Sequence, residues 1–273
     1  MITLLFLFIE TVPSANATIT RSEIISIEPS ESSDWTPVFL ADGRVLRVSR
    51  SDPRLIDLHH RIGEPLEIEF KATNSIDHIV DIRTGESDQT VGYLEPMRFA
   101  HDLPPEAKGA TGMLSSFLFG FFREMGLRSS AQCFHRAYLW AYETFKTYGL
   151  VSEKVFLFFT RRYIREQRFR WWFHVAPLIR DNEKDFIIDP TYVSEPRELN
   201  QWTSYFIRNG ETCPFIEKYE GRGHHNQTGS CYMRKTSMFH YHPNDLRAAD
   251  QSGKPVSSWN KRWLAFSRRA RQP

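Results

Sequence analysis

Apolar residues follow a period of two in the first part of the chain and a helical period further on, which predicts two regions of different build. In LEIEFKA, Leu66, Ile68 and Phe70 fall on one side and Glu67, Glu69 and Lys71 on the other, the pattern of a half-buried strand. Residues 24–27, the two β-rich runs either side of Asp42-Gly43, and residues 78–82 add short strands, with Asp-Gly marking a hairpin. Residues 18–99 are therefore expected to form a small all-β domain, a barrel or sandwich of about five strands. Residues 100–111 carry Pro104, Pro105 and Gly109 among small and charged residues and read as a linker.

Beyond the linker, residues 112–273 predict a second, α+β domain without internal repeats. Residues 113–125, with Leu114, Phe117, Leu118, Phe121 and Phe122, predict a buried helix ending at Gly126. Within residues 129–150, Phe134, Ala137, Tyr138, Ala141, Phe145 and Tyr148 lie three and four apart, so one helical face enters a core. Ser129 or Ser130 is the expected N-terminal cap and Gly149 the stop. Residues 154–160 predict a strand, and the basic run 161–170 a solvated loop and strand edge. Residues 168–179 and 185–192, divided by the polar run 180–184, predict a hairpin. In the tail, residues 254–273, packing of Trp259, Trp263, Leu264 and Phe266 is expected before a frayed basic end.

Composition narrows the partners. Among 273 residues, 35 basic and 33 acidic side chains leave a net charge of +2, so no nucleic acid or other polyanion is implied. The apolar run at residues 4–9, followed by Ala15, Asn16 and Ala17, reads as a signal peptide over residues 1–17 and a secreted or periplasmic protein. That run is far shorter than the ~20 apolar residues a membrane span needs. Three cysteines leave one over if two pair. Cys213 and Cys231, flanking a loop rich in Gly, His and Asn, are the expected disulfide, with Cys133 free. A competing zinc set of His224, His225, Cys231, His240 and His242 lacks the spacing of a compact structural zinc motif.

Cys133 stands in the first turn of the predicted 129–150 helix, where unpaired N–H groups and the dipole favour negative charge on sulfur. On the predicted hairpin, alternation groups Trp172, His174 and Ala176 on one face, and Asp185, Ile187 and Asp189 on one face of the second strand. Cysteine, histidine and aspartate thus occur in the order nucleophile, base, orienter, with Asp185 as the second choice of orienter. His135 cannot replace His174, because residues two apart on a helix do not face each other.

CFHRA at residues 133–137, WWFHVAP at 171–177 and IIDP at 187–190 resemble the three catalytic blocks of the bacterial protein-glutaminase family. The resemblance spans residues 113–192 and implies a secreted deamidase with a transglutaminase-like or papain-like core, a helix-borne cysteine packed on an antiparallel sheet. It implies Cys133 as nucleophile, His174 as base and Asp189 as the acid that orients it, with no metal or organic cofactor. The expected activity is hydrolysis of glutamine side-chain amides in a protein or peptide, by a monomer without a membrane span. Transglutaminase, cysteine protease and a non-catalytic protein-binding module are the alternatives. Residues 18–99 are expected to serve as a removed pro-region, a lid, or a permanent substrate-binding domain.

Overall fold

The structure, a computed structural model, describes residues 17–28, 34–73, 76–85, 104, 107–108, 110–129, 131–208, 210–222 and 229–271. The chain divides into two compact units, Met1–Ser87 and Asp88–Pro273, each with an antiparallel sheet. The signal-like segment up to residue 16 and most of the linker lie outside the described residues.

In the first unit five strands, β1 (Thr18–Ile27), β2 (Trp35–Leu40), β3 (Val45–Ser49), β4 (Pro65–Thr73) and β5 (Ile76–Thr84), pair in the order β3-β2-β1-β4-β5. The β2–β3 hairpin turns at Asp42-Gly43, where Gly43 has φ 91°, a conformation that costs a side-chain-bearing residue more. Asp42 steadies the turn by accepting the Arg44 N–H at 3.0 Å. Leu66, Ile68 and Phe70 are buried as their alternation requires, and they join Ile24, Val38, Leu40, Leu46 and Val48 in one core. The outer strands β3 and β5 are tied by the Arg47 N–H, which donates to Asp77 Oδ2 at 2.8 Å.

This unit is not all-β. Helix α1 (Arg54–His60) follows β3, with the Arg54 N–H bonded to Asp52 Oδ1 at 3.0 Å. Leu55 and Leu58, three apart, enter the core. A Pro immediately before an apolar pair at helical spacing was the signal for it.

The second unit is built on β6 (Glu153–Phe159), β7 (Phe173–Asp181), β8 (Lys184–Ile187), β9 (Arg197–Glu198) and β10 (Cys231–Ser237), in the order β10-β6-β7-β8-β9. β7 is buried at eight of its nine residues, so it is covered on both faces. Helices α2 (Met113–Glu124) and α3 (Cys133–Tyr148) pack on it. Phe122 stacks on Trp140 at 5.2 Å and joins the two helices, while Phe134 stacks on Phe173 at 6.0 Å and seats the first turn of α3 on β7. Asp181 closes the start of α2 by accepting the N–H groups of Gly112 at 3.0 Å and Ser115 at 2.9 Å. Gly149, at φ 67°, ends α3 as its sequence requires.

The basic run at 161–170 is not a loop. Residues Arg161–Glu166 form α4, because Thr160 Oγ1 caps the Tyr163 N–H at 3.2 Å and Tyr163 and Ile164 are buried. A short α5 (Leu199–Thr203), then α6 (Pro243–Ser252) and α7 (Lys261–Arg268), complete the unit. α7 lies against α3, and Trp259 meets Tyr138 edge-on at 5.0 Å, so the tail is part of this core.

Cys213 and Cys231 are disulfide-bonded and Cys133 is free and buried. The zinc alternative therefore loses Cys231. His240 Nδ1 shares a hydrogen bond with Ser237 Oγ and His242 caps α6, while His224 and His225 lie outside the described residues. The bond joins residues 18 apart, which predicts that replacing both cysteines by serine lowers the free energy of unfolding by about 3 kcal/mol. Urea denaturation checks this; a loss below about 1 kcal/mol would show that the closed loop adds little.

Candidate active site

Cys133 is the first residue of α3. The residue before it, Gln132, is extended (φ −64°, ψ 143°) and supplies no side-chain cap, so the expected serine cap does not form. Ser129 instead offers its carbonyl to Arg136 Nη1 at 3.0 Å, and Ser130 lies outside the described residues. Arg136 also donates to the Ala131 carbonyl, so one buried guanidinium grips both ends of the turn that delivers Cys133. The first N–H groups of any α-helix lack intrahelical acceptors, and Cys133 stands at that end of α3.

His174 lies on β7 opposite Leu157 of β6. Its Nε2 stands 2.7 Å from Asp189 Oδ2, which also accepts the Trp202 Nε1–H at 3.0 Å. With Nε2 assigned as donor to the carboxylate, Nδ1 is left for the thiol, and Cys133 lies near enough to help raise the proton affinity of the ring. Cys133, His174 and Asp189 retain 4%, 4% and 1% of their surface, so the three groups meet almost out of water.

Asp189 is not on the strand. β8 ends at Ile187, and the chain turns at Asp189, whose carbonyl accepts the N–H groups of Tyr192 and Val193, both at 3.1 Å. Pro190 makes that departure from the sheet necessary, since it has no N–H for a ladder. The turn separates Asp189 from Asp185, which the alternation had grouped on one face. Asp185 instead pairs with Arg180 at 2.9 Å and Lys235 at 2.8 Å, and does not reach His174 as an orienter. His135 is occupied elsewhere, with Nε2 3.3 Å from the Tyr241 hydroxyl.

Burial alone would pull the His174 imidazole down. The charge and hydrogen bond of Asp189, helped by Cys133, more than reverse this and raise it from 6.5 to about 9. Burial pushes Asp189 up, but His174, the Trp202 N–H and Arg136 hold it below the ordinary carboxylate value. The arrangement can keep a proton on an imidazole beside a sulfur at neutral pH, which is what acyl transfer through cysteine requires.

Three neighbours were not expected from sequence. Trp202 bonds the carboxylate, Arg136 grips the turn before Cys133, and Tyr192 meets the His174 ring edge-on at 4.8 Å. Trp202 had a detectable signal only in principle, since a buried indole N–H needs an acceptor, but its partner lies 13 residues away across a turn.

The model of a family described as Glutaminase matches residues 127–206. That segment includes Cys133, His174, Asp189 and Trp202, and it agrees with the resemblance carried by the three short motifs. No curated protein and no solved structure matched the chain.

Folding raises the proton affinity of His174, so this group stabilises the protein below pH 6.5, and that contribution is lost as pH rises through about 9. NMR titration should therefore find the His174 ring changing charge near 9, and in Asp189→Asn falling toward or below 6.5. An unchanged value in the variant would mean that Asp189 does not set the charge of the ring.

Proposed function

We propose that this protein hydrolyses the side-chain amide of glutamine in a protein or peptide, releasing glutamate and ammonia through a thioester on Cys133. The observation that carries the reading is the buried chain Cys133–His174–Asp189, held within the segment matched by the Glutaminase family.

In the proposed reaction the thiol proton already rests on His174 Nδ1 when the sulfur attacks the carboxamide carbon. The tetrahedral oxyanion lies against the N–H groups at the start of α3, including that of Cys133. His174 then gives its proton to the departing nitrogen, and ammonia leaves. Water enters, loses a proton to the same imidazole and opens the thioester, which frees glutamate and restores the thiol. Throughout, Asp189 fixes the tautomer and stabilises the imidazolium, while Trp202 holds the carboxylate in place.

All three residues belong to the second unit. We assign the first unit to substrate binding or to control of access, which leaves the chemistry unchanged. The disulfide, and the absence among the described residues of a helix long and apolar enough to cross a membrane, are compatible with a secreted or periplasmic site of action.

Incubation with a glutamine-bearing protein should release ammonia and shift the substrate by the mass of an amide-to-acid conversion, with no chain cleavage. Cross-links or incorporated amine would instead identify a transglutaminase, and fragments a protease. Cys133→Ala and His174→Ala should be inert in this assay. Asp189→Asn should lose about 10²–10⁴-fold in turnover, and Asp185→Asn less than about 2-fold, because the latter removes only partly exposed ion pairs. An active Cys133→Ala protein would contradict the proposal.

A further inference from the structure

The ring of His174 touches three aromatic side chains, each from the stretch that follows Asp189. Their ring centroids lie 4.8 Å (Tyr192), 4.8 Å (Phe206) and 5.6 Å (Trp202) from that of the imidazole. Trp202 is fully buried, Phe206 keeps 7% of its surface, and Tyr192 keeps 37%. Of the three, Tyr192 is therefore the one that reaches solvent, beside a sulfur and an imidazole that are themselves nearly covered.

The position of Tyr192 is set by two further contacts. Its backbone N–H is bonded to the Asp189 carbonyl, so the turn that brings the carboxylate to His174 also brings this ring. Behind it stands Phe206, at 5.1 Å. Its hydroxyl feels the charge of Arg136, the buried guanidinium one helical turn after Cys133 that grips the turn before it. Ordering a half-exposed aromatic ring between His174 and Phe206 has an entropic cost. An exposed ring edge fixed beside a reactive pair offers an apolar face to whatever enters.

We propose that Tyr192 is a substrate-binding residue: its ring forms the solvent-side wall of the acyl site and lies along the methylene stem of the side chain whose carboxamide Cys133 attacks. The proposal rests on the glutaminase reading for the identity of the substrate side chain. The wall favours a flexible aliphatic chain ending in an amide, because a stem lying flat on the ring brings only its terminal group to the buried sulfur.

The test separates binding from chemistry. In a Cys133→Ala background, where nothing is turned over, a blocked glutaminyl dipeptide is titrated by NMR against the parent and against added Tyr192→Ala or Tyr192→Phe. The expected result is a Kd weakened about tenfold or more by Tyr192→Ala and by less than about threefold by Tyr192→Phe, which keeps the ring. In the Cys133 protein, the pH profile of Cys133 alkylation by iodoacetamide is followed for Tyr192→Ala as well, which separates loss of the wall from loss of a support for His174. Equal binding by parent and Tyr192→Ala, or no binding by either, would overturn the proposal. So would a shifted alkylation profile without loss of affinity, which would make Tyr192 a support for His174. Failure of the glutaminase reading shows separately, as dipeptide binding to the parent with no ammonia released by the wild-type protein.

Discussion

A single carboxylate organises the second unit around its site. Asp189 is almost wholly buried, and a lone charge there would be strongly unfavourable. It is tolerated because one oxygen, Oδ2, meets both His174 Nε2 and the Trp202 indole N–H. Removing one partner from a buried charged pair costs about 3–5 kcal/mol, so the contact constrains both β7, which carries the imidazole, and α5, which carries the indole. The same contact makes His174 hold a proton where burial alone would have discharged it. Structure and proposed chemistry therefore depend on the same oxygen atom.

The cysteine side of the site depends on a different device. α3 begins at Cys133 without a side-chain cap, and its approach is held from inside by Arg136, whose guanidinium takes carbonyls of the preceding turn. A serine cap would have satisfied an N–H of the first turn. Without it, the N–H groups of the first turn are left without a side-chain cap, and the proposed reaction uses them for its oxyanion. The arrangement trades a local stabilisation of the helix, of order 1 kcal/mol, for donors at the sulfur.

Much of this was legible in the sequence where a residue's role follows from local periodicity. The stop of α3 at Gly149, the alternation in β4 and the β7–β8 hairpin follow from spacing alone. Cys133, His174 and Asp189 stand out as candidates because each lies in a short, chemically distinctive block. What spacing could not supply were effects acting across the chain. Strand periodicity grouped Asp185 with Asp189, but the turn before Pro190 takes Asp189 off the strand, and Arg180 and Lys235 hold Asp185. The charged surface of residues 161–170 hid two buried positions, Tyr163 and Ile164, that make the segment a helix. α1 was missed because a seven-residue helix with two core contacts leaves a weak periodic trace.

The central claim is that acyl transfer passes through the Cys133 sulfur. Rapid mixing with a glutaminyl peptide, acid quench within a turnover and mass analysis of the intact protein test it most directly. The account predicts a transient adduct equal to the peptide less ammonia, mapped to Cys133 and absent from Cys133→Ala. Steady release of ammonia with no such adduct at any time, or an adduct mapped to another residue, would contradict it.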